Sequence, residues 1–316
     1  MFWTSWFLAF LAVALAWPVP VFLSRAAWPA RAPFAAMVLW QSIALAGGLS
    51  MIGAMLCYGL LTLGDNLLSG LSGLLRILQG RQSLDTLGLV HAFALSAAAL
   101  LSVHLVFTLW LSYYRIHRQR TRHRDLLQLL SSPSTDSPHT LVINSQAPVA
   151  YCLPGGARSV TVLSNGLLEL LSPEELRAVL LHEQTHLTQR HHLLLWAFAA
   201  WRSALPWLPT SRLAQQAVSS LIEILADDVA LRTVGKPTLV TAIALVASGP
   251  AQLPADKLLA GTGDQIDTPA TTSARLGRLL TPAPPLPALW QSLVITAAGL
   301  LLAIPTALLF GPPLLR

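Results

Sequence analysis

Four long stretches of this sequence carry no charged side chain: residues 1–24, 32–64, 86–114 and 279–315. A lipid bilayer offers backbone N–H and C=O groups no water, so a chain crosses it as a helix or a closed barrel. A spanning helix needs about 20 consecutive apolar residues, and each stretch can supply them. Pro282, Pro284, Pro285 and Pro287 break the start of the last one and narrow it to residues 288–310. The expectation is an α-helical membrane protein with four transmembrane helices, three of them near 3–24, 35–62 and 88–112 and the fourth within 286–316. Composition agrees, since 54% of residues are hydrophobic and 11% charged, against about 25% charged in soluble domains. The first stretch has no basic residue ahead of its apolar core and no small-x-small cleavage site, which favours a retained span over a signal peptide.

Arginine placement sets the expected orientation. Arg25 and Arg31 lie between the first two spans, and Arg115, Arg118, Arg120, Arg122 and Arg124 follow the third. Basic loops stay cytoplasmic, so the N-terminus is expected outside, residues 115–285 inside, and Gly311–Arg316 as a short external tail. The loop at 65–85 then faces outward, with Leu67–Leu78 lying along the interface. The arginine run lacks the interleaved aromatics of a single-strand binder, so no nucleic-acid partner is expected. His91 and His104, inside the third span, read as helix-packing residues. Cys57 and Cys152 have neither the number for a disulfide framework nor zinc-ligand spacing, and read as reduced or buried thiols.

Between 115 and 285 the character changes. Short β-favouring runs at 141–143, 149–153 and 160–163 are separated by Pro148 and a Pro154-Gly155-Gly156 turn. They predict a small antiparallel sheet, followed by helices, within an α+β domain. Ser172 with Glu175 three residues later is a capping box, and Pro173 takes the first helical position. The helix that follows carries His182-Glu183-Gln184-Thr185-His186. Histidines at i and i+4 present their rings to one point, which suits one zinc ion, and the adjacent glutamate can act as general base. A third ligand has a candidate in Glu223, 37 residues after His186, on a helix expected over 221–232 with Gly235 as its stop. Asp227, one turn on, is placed to accept the distal N–H of a ligating histidine. Asp228 reads as a solvated neighbour, and His191 and His192 as partners of helix-terminal carbonyls.

These residues resemble a known group. AYCLPGG at 150–156, VLSNGLL at 162–168, SPEELRAVLLHE at 172–183 and EILAD at 223–227 look like the gluzincin membrane peptidases. The order of three spans, zinc domain and fourth span is most similar to BlaR/MecR-type antirepressor metallopeptidases. HtpX-like and CAAX-prenyl-protease relatives share the motifs with spans distributed differently. The resemblance implies a gluzincin-type zinc peptidase domain on the cytoplasmic side of a bacterial plasma membrane. It makes His182, His186 and Glu223 the zinc ligands, Glu183 the base and Asp227 the orienting carboxylate. It also makes Val149, Ala150, Tyr151, Cys152 and Leu153 an edge strand for an extended protein substrate, such as a BlaI-like transcriptional repressor. Trp207-Leu208-Pro209 resembles an aromatic-Pro stretch of these proteins, and Thr268-Pro269 with Arg275-Leu276 an Arg-containing helix. His191, Tyr151 and Arg275 are the candidates for stabilising the oxyanion. Sensor relatives continue into an external penicillin-binding domain. Only Gly311–Arg316 follow the fourth span here, so a signal is expected from a partner or the spans.

Three other functions compete. An HtpX-like quality-control protease would use the same chemistry on membrane proteins. Intramembrane cleavage is disfavoured because Glu174, Glu175, Arg177, Arg190, His191 and His192 bracket the motif, although the apolar segment 193–201 could dock on the membrane surface. A signalling or scaffold protein with zinc as a structural element would hold metal and cleave nothing.

Overall fold

The computed structural model describes residues 1–133, 140–154, 159–249 and 269–310. The chain divides into two compact units, one of residues 1–110, 198–217 and 286–316, the other of 111–197 and 218–285.

The first unit is helical. Helices α1 (Phe2–Ala16) and α2 (Pro18–Ser24) meet at Trp17, where Pro18 restarts the helix. Next come α3 (Pro33–Gly59) and α4 (Leu67–Leu78). Long α5 runs from Leu89 to Leu130, and α12 from Ala288 to Phe310. Four segments are long and apolar enough to cross a membrane: Phe2–Ser24, Pro33–Gly59, Leu89–Leu127 and Ala288–Phe310. Both α1 and α12 pack on α3. Gly53 permits this, because a Cβ there would stand 3.0 Å from Leu309 and 3.2 Å from Leu8. Large apolar side chains such as Trp3, Phe10, Phe22, Phe93, Leu100 and Leu289 face outward. Apolar surface on this scale is unfavourable in water, and with the long apolar helices it suggests a membrane protein. Helix α4 occupies the stretch expected along the interface and is capped reciprocally by Asn66 and Ser69. His91 stacks on Tyr58 at 5.3 Å, and His104 Nε2 donates to the Ala204 carbonyl at 3.0 Å, so both serve helix packing.

The second unit is built on a four-stranded sheet of β1 (Ser131–Pro133), β2 (Thr140–Ile143), β3 (Ala150–Leu153) and β4 (Val160–Ser164), in the order β1-β2-β4-β3. The expected antiparallel sheet is corrected to a mixed one, since β2 and β4 run parallel. β3 forms an antiparallel pair with β4, and β4 inserts between β3 and β2 rather than extending a meander. Alternation identifies a strand but not its neighbour. Strand β1 was not expected, and α5 continues through the arginine run well beyond the predicted span. Residues 155–156 of the predicted turn lie outside the described residues, as do Thr268 and the 311–316 tail.

The sheet's two faces are used differently. Val149, Tyr151 and Leu153 pack with Leu127, Ile143 and Val162. On the other face Ala150 packs with Leu163, Leu167, Leu171 and three apolar residues of α7, a helix running Pro173–Thr188. Ser164 ties the end of β4 to its surroundings. Its Oγ accepts from the Val149 and Leu167 N–H groups at 2.9 and 3.1 Å and donates to the Ala147 carbonyl at 2.7 Å, capping α6 (Asn165–Leu170). All of this is buried, so Ser164→Ala strands two donors and an acceptor. It is expected to lower stability by roughly 2–3 kcal/mol in chemical denaturation.

Helix α7 begins at the predicted capping box, with Ser172 N–H donating to Glu175 at 2.8 Å. It ends in a turn where Arg190 adopts φ 52°, and α8 (His191–Ala204) follows. Helix α9 (Pro209–Ala230) starts earlier than expected, and Gly235 caps the start of α10 (Lys236–Ser248) instead of stopping α9. Ala178 of α7, Ala230 of α9, Leu239, Ala242 and Ile243 of α10 and Leu279 of α11 (Pro269–Leu280) form one core.

Candidate metal centre

Small residues bring α7 and α9 close. Ala178 and His182 lie one turn apart on α7, and Glu223, Asp227 and Ala230 share a face of α9 by their i, i+4, i+7 spacing. With Ala178 and Ala230 fully buried in one core, the histidines meet the carboxylates. His182 Nε2 lies 3.1 Å from Glu223 Oε2 and 3.2 Å from His186 Nε2, and His186 Nε2 lies 3.6 Å from Glu223 Oε1. Two ligands about 2.05 Å from a zinc ion, at the tetrahedral angle, stand roughly 3.3 Å apart. The two histidine nitrogens and the Glu223 carboxylate, with one oxygen toward each histidine, are therefore spaced as zinc ligands are, and these three residues form the group among the described residues that could hold a metal ion.

Hydrogen bonds behind the rings turn the correct nitrogens toward that point. His182 Nδ1 donates to Asp227 Oδ1 at 2.9 Å, which fixes the ring with Nε2 turned toward Glu223 and His186. His191 Nε2 donates to Gln189 Oε1 at 2.9 Å, so its Nδ1 accepts from His186 Nδ1 at 3.2 Å. His186 Nε2 is left as an acceptor. His191 is the first residue of α8 and follows directly on the positive-φ turn at Arg190 that ends α7. The expected interaction of His191 with terminal carbonyls is corrected: it is 1% exposed and backs a candidate ligand. Both of its ring nitrogens are engaged, so it is not placed as an oxyanion donor.

Arg275 is also buried. Its Nε and Nη2 donate to Asp227 Oδ2 and Oδ1 at 2.9 and 2.7 Å, and Nη1 lies 3.3 Å from Glu223 Oε2. This guanidinium clamps the two carboxylates that serve His182, a different position from the oxyanion role expected for it. One residue on in α9 and about one turn on in α11, Arg278 pairs with Asp228 at 2.7 Å, so Asp228 is not merely solvated. Tyr151 lies on the core face of β3, with its hydroxyl 2.9 Å from His123 Nε2. Strand alternation turns it away from α7, which removes it as an oxyanion donor, and burial raises its pKa.

Burial opposes a charged His182, but hydrogen bonds to Asp227 and Glu223 outweigh that and raise its pKa to about 10. Burial also opposes charge on Glu223, and its hydrogen bond with His182 and the nearby cations hold it down at about 2. His186 is lowered to about 4, first by burial, and so stays neutral as a ligand must. The pocket thus favours a cation against an ionised carboxylate.

Glu183 is half-buried on α7. Helix α7 packs on β3, and the charge of Glu183 is felt at the half-buried Cys152 thiol, whose pKa is raised to about 11, first by burial. Among the described residues β3 is the terminal strand of the sheet, so the candidate base stands beside a strand edge that pairs with no described strand. The edge comprises Ala150–Leu153, with Val149 joining through its bonds to Ser164.

Residues 116–222 match the family model of peptidase family M48. The match covers about a third of the chain and supports the M48 metallopeptidase family, whose members are generally zinc-dependent. It takes in His182, Glu183, His186 and β3, and ends one residue before Glu223. The carboxylate ligand therefore rests on geometry. No curated protein and no solved structure matches the chain.

Proposed function

We propose that this chain is a membrane-bound zinc endopeptidase that cuts a protein substrate at the cytoplasmic face. One observation carries the proposal: a zinc-sized triangle of His182, His186 and Glu223 donors on α7 and α9, with Glu183 next to the first of them. Those three residues would hold one zinc ion. Bound there, zinc polarises a peptide carbonyl and makes a water easier to deprotonate. Glu183 accepts the proton of the attacking water and passes it to the amine nitrogen as the C–N bond breaks. Asp227 and Arg275 hold the His182 ring, and His191 holds that of His186. An extended substrate pairs with the outer edge of β3, the terminal strand among the described residues, beside Glu183.

Two candidate spans precede the M48-matching segment, a third runs into its start, and one follows. This order supports a BlaR/MecR-type signalling peptidase, with a BlaI-like repressor as substrate and a sensor partner as its trigger. An HtpX-like quality-control protease would instead degrade membrane proteins.

Purified full-length protein is expected to hold about one zinc per chain by elemental analysis. It should cleave unfolded β-casein, stop when treated with phenanthroline and resume when zinc is restored. His186→Ala should lose zinc and cleavage together. Undiminished cleavage by a zinc-free His186→Ala protein would overturn the proposal.

A further inference from the structure

The arginine run on α5 is not one uniform charged surface. At 3.6 residues per turn, Tyr113, His117, Arg120 and Arg124 (spacings of four, three and four) form one stripe, and Arg115, Arg118 and Arg122 fall on the opposite side. The second set is exposed, whereas Arg120 and Arg124 are half-buried. The first stripe faces α8. The Tyr113 ring meets Trp196 edge-on at 5.7 Å, and His192 lies one turn before Trp196 on the same helix. Arg120 is within electrostatic reach of Arg124, and His192 of both Arg120 and Arg190.

Clustered half-buried cations normally recruit carboxylates. Among the described residues, the half-buried Arg120, Arg124 and His192, and the exposed Arg190 next to them, form no ion pair. Three polar atoms of this cluster are buried without a hydrogen-bond partner among the described residues: Arg124 Nε, His192 Nδ1 and Trp196 Nε1. Arg124 spends one terminal nitrogen on the Pro154 carbonyl, which fixes the side chain while Nε stays open. Orphaned buried donors of this kind call for an unseen partner, and the surrounding charge selects an anion. The stripe starts where the charge-free stretch 86–114 ends, and Tyr113 and Trp196 are residues that favour the headgroup layer.

We infer that the α5–α8 stripe is a binding site for the phosphate headgroup of an acidic phospholipid. Its guanidiniums take the phosphate oxygens, Trp196 Nε1 donates a hydrogen bond, and Tyr113 lies along the adjoining glycerol backbone. None of these side chains is a candidate metal ligand, and Arg190 bears on the metal centre only through the backbone turn that precedes His191, which zinc content monitors.

Spin-labelled lipids test it on the full chain in phosphatidylcholine vesicles. Wild-type protein is expected to prefer labelled phosphatidylglycerol over labelled phosphatidylcholine. Arg120→Gln and Arg190→Gln should each lower that preference about fivefold, and Trp196→Phe, which keeps the ring packing, should lower it measurably. Arg115→Gln/Arg118→Gln/Arg122→Gln removes more charge from the other side of the same helix and should leave the preference largely intact. Zinc content and far-UV circular dichroism report whether each variant is folded. Equal losses from the two faces would mean diffuse attraction and overturn the site. Displacement of the lipid by millimolar inorganic phosphate at constant ionic strength would overturn the lipid assignment in favour of free phosphate.

Discussion

Glu183→Gln is expected to slow peptide hydrolysis by roughly a thousandfold while zinc content stays at the wild-type level. A positioned general base contributes about 10²–10⁴-fold, and glutamine keeps the shape of the side chain without the ability to hold a proton. The ligands are untouched by this change, since His182, His186 and Glu223 draw their orientation from Asp227, His191 and Arg275. Elemental analysis and casein cleavage on the same preparation check both halves. A Glu183→Gln protein of near wild-type activity would remove Glu183 from the mechanism. Loss of zinc as well would make it a structural part of the site. Retained zinc with retained cleavage would point to a different proton acceptor.

Arg275→Leu is expected to destabilise the second unit by about 3–5 kcal/mol, the usual consequence of leaving a buried charge without its partner. Asp227 is 2% exposed and takes two hydrogen bonds from this guanidinium. Leucine would leave its carboxylate with His182 alone. Zinc affinity should fall about 10–100-fold, because the group that orients the His182 ring is no longer held. Removing both charges in Arg275→Leu/Asp227→Leu should recover much of the stability but not the zinc affinity. Chemical denaturation and metal competition separate the two effects. If Arg275→Leu unfolds at the wild-type denaturant concentration, the clamp has no structural weight.

How much of this site the sequence reveals depends on whether the information is local. The capping box at Ser172 and the i, i+4 histidines are properties of one helix, and the structure has that helix where they place it. Glu223 and Asp227 were legible because their one-turn spacing survives wherever α9 packs. His191 was misjudged because its direction depends on a single positive φ at Arg190, which no residue preference announces. Arg275 looked like a weak match because its partners are about 50 residues away in sequence, and only the α9–α11 packing joins them. The sheet shows the same division. Its strand positions follow from composition, but the insertion of β4 beside β2 is a long-range choice. Tyr151 was misplaced for a smaller reason, since its neighbours on either side face α7 and it does not.

That alternation along β3 sets a reading frame. The strand commits Tyr151 and Leu153 to the hydrophobic interior and leaves Ala150 and Cys152 on the side of α7. A peptide hydrogen-bonded to its outer edge inherits the same two-residue beat. Every second side chain of the guest would be presented toward the helix that carries Glu183, while those between would point away and go largely unread. Cleavage preference should therefore appear as a pattern at alternate positions around the cut, and moving the guest by one residue would scramble it while moving it by two would restore it.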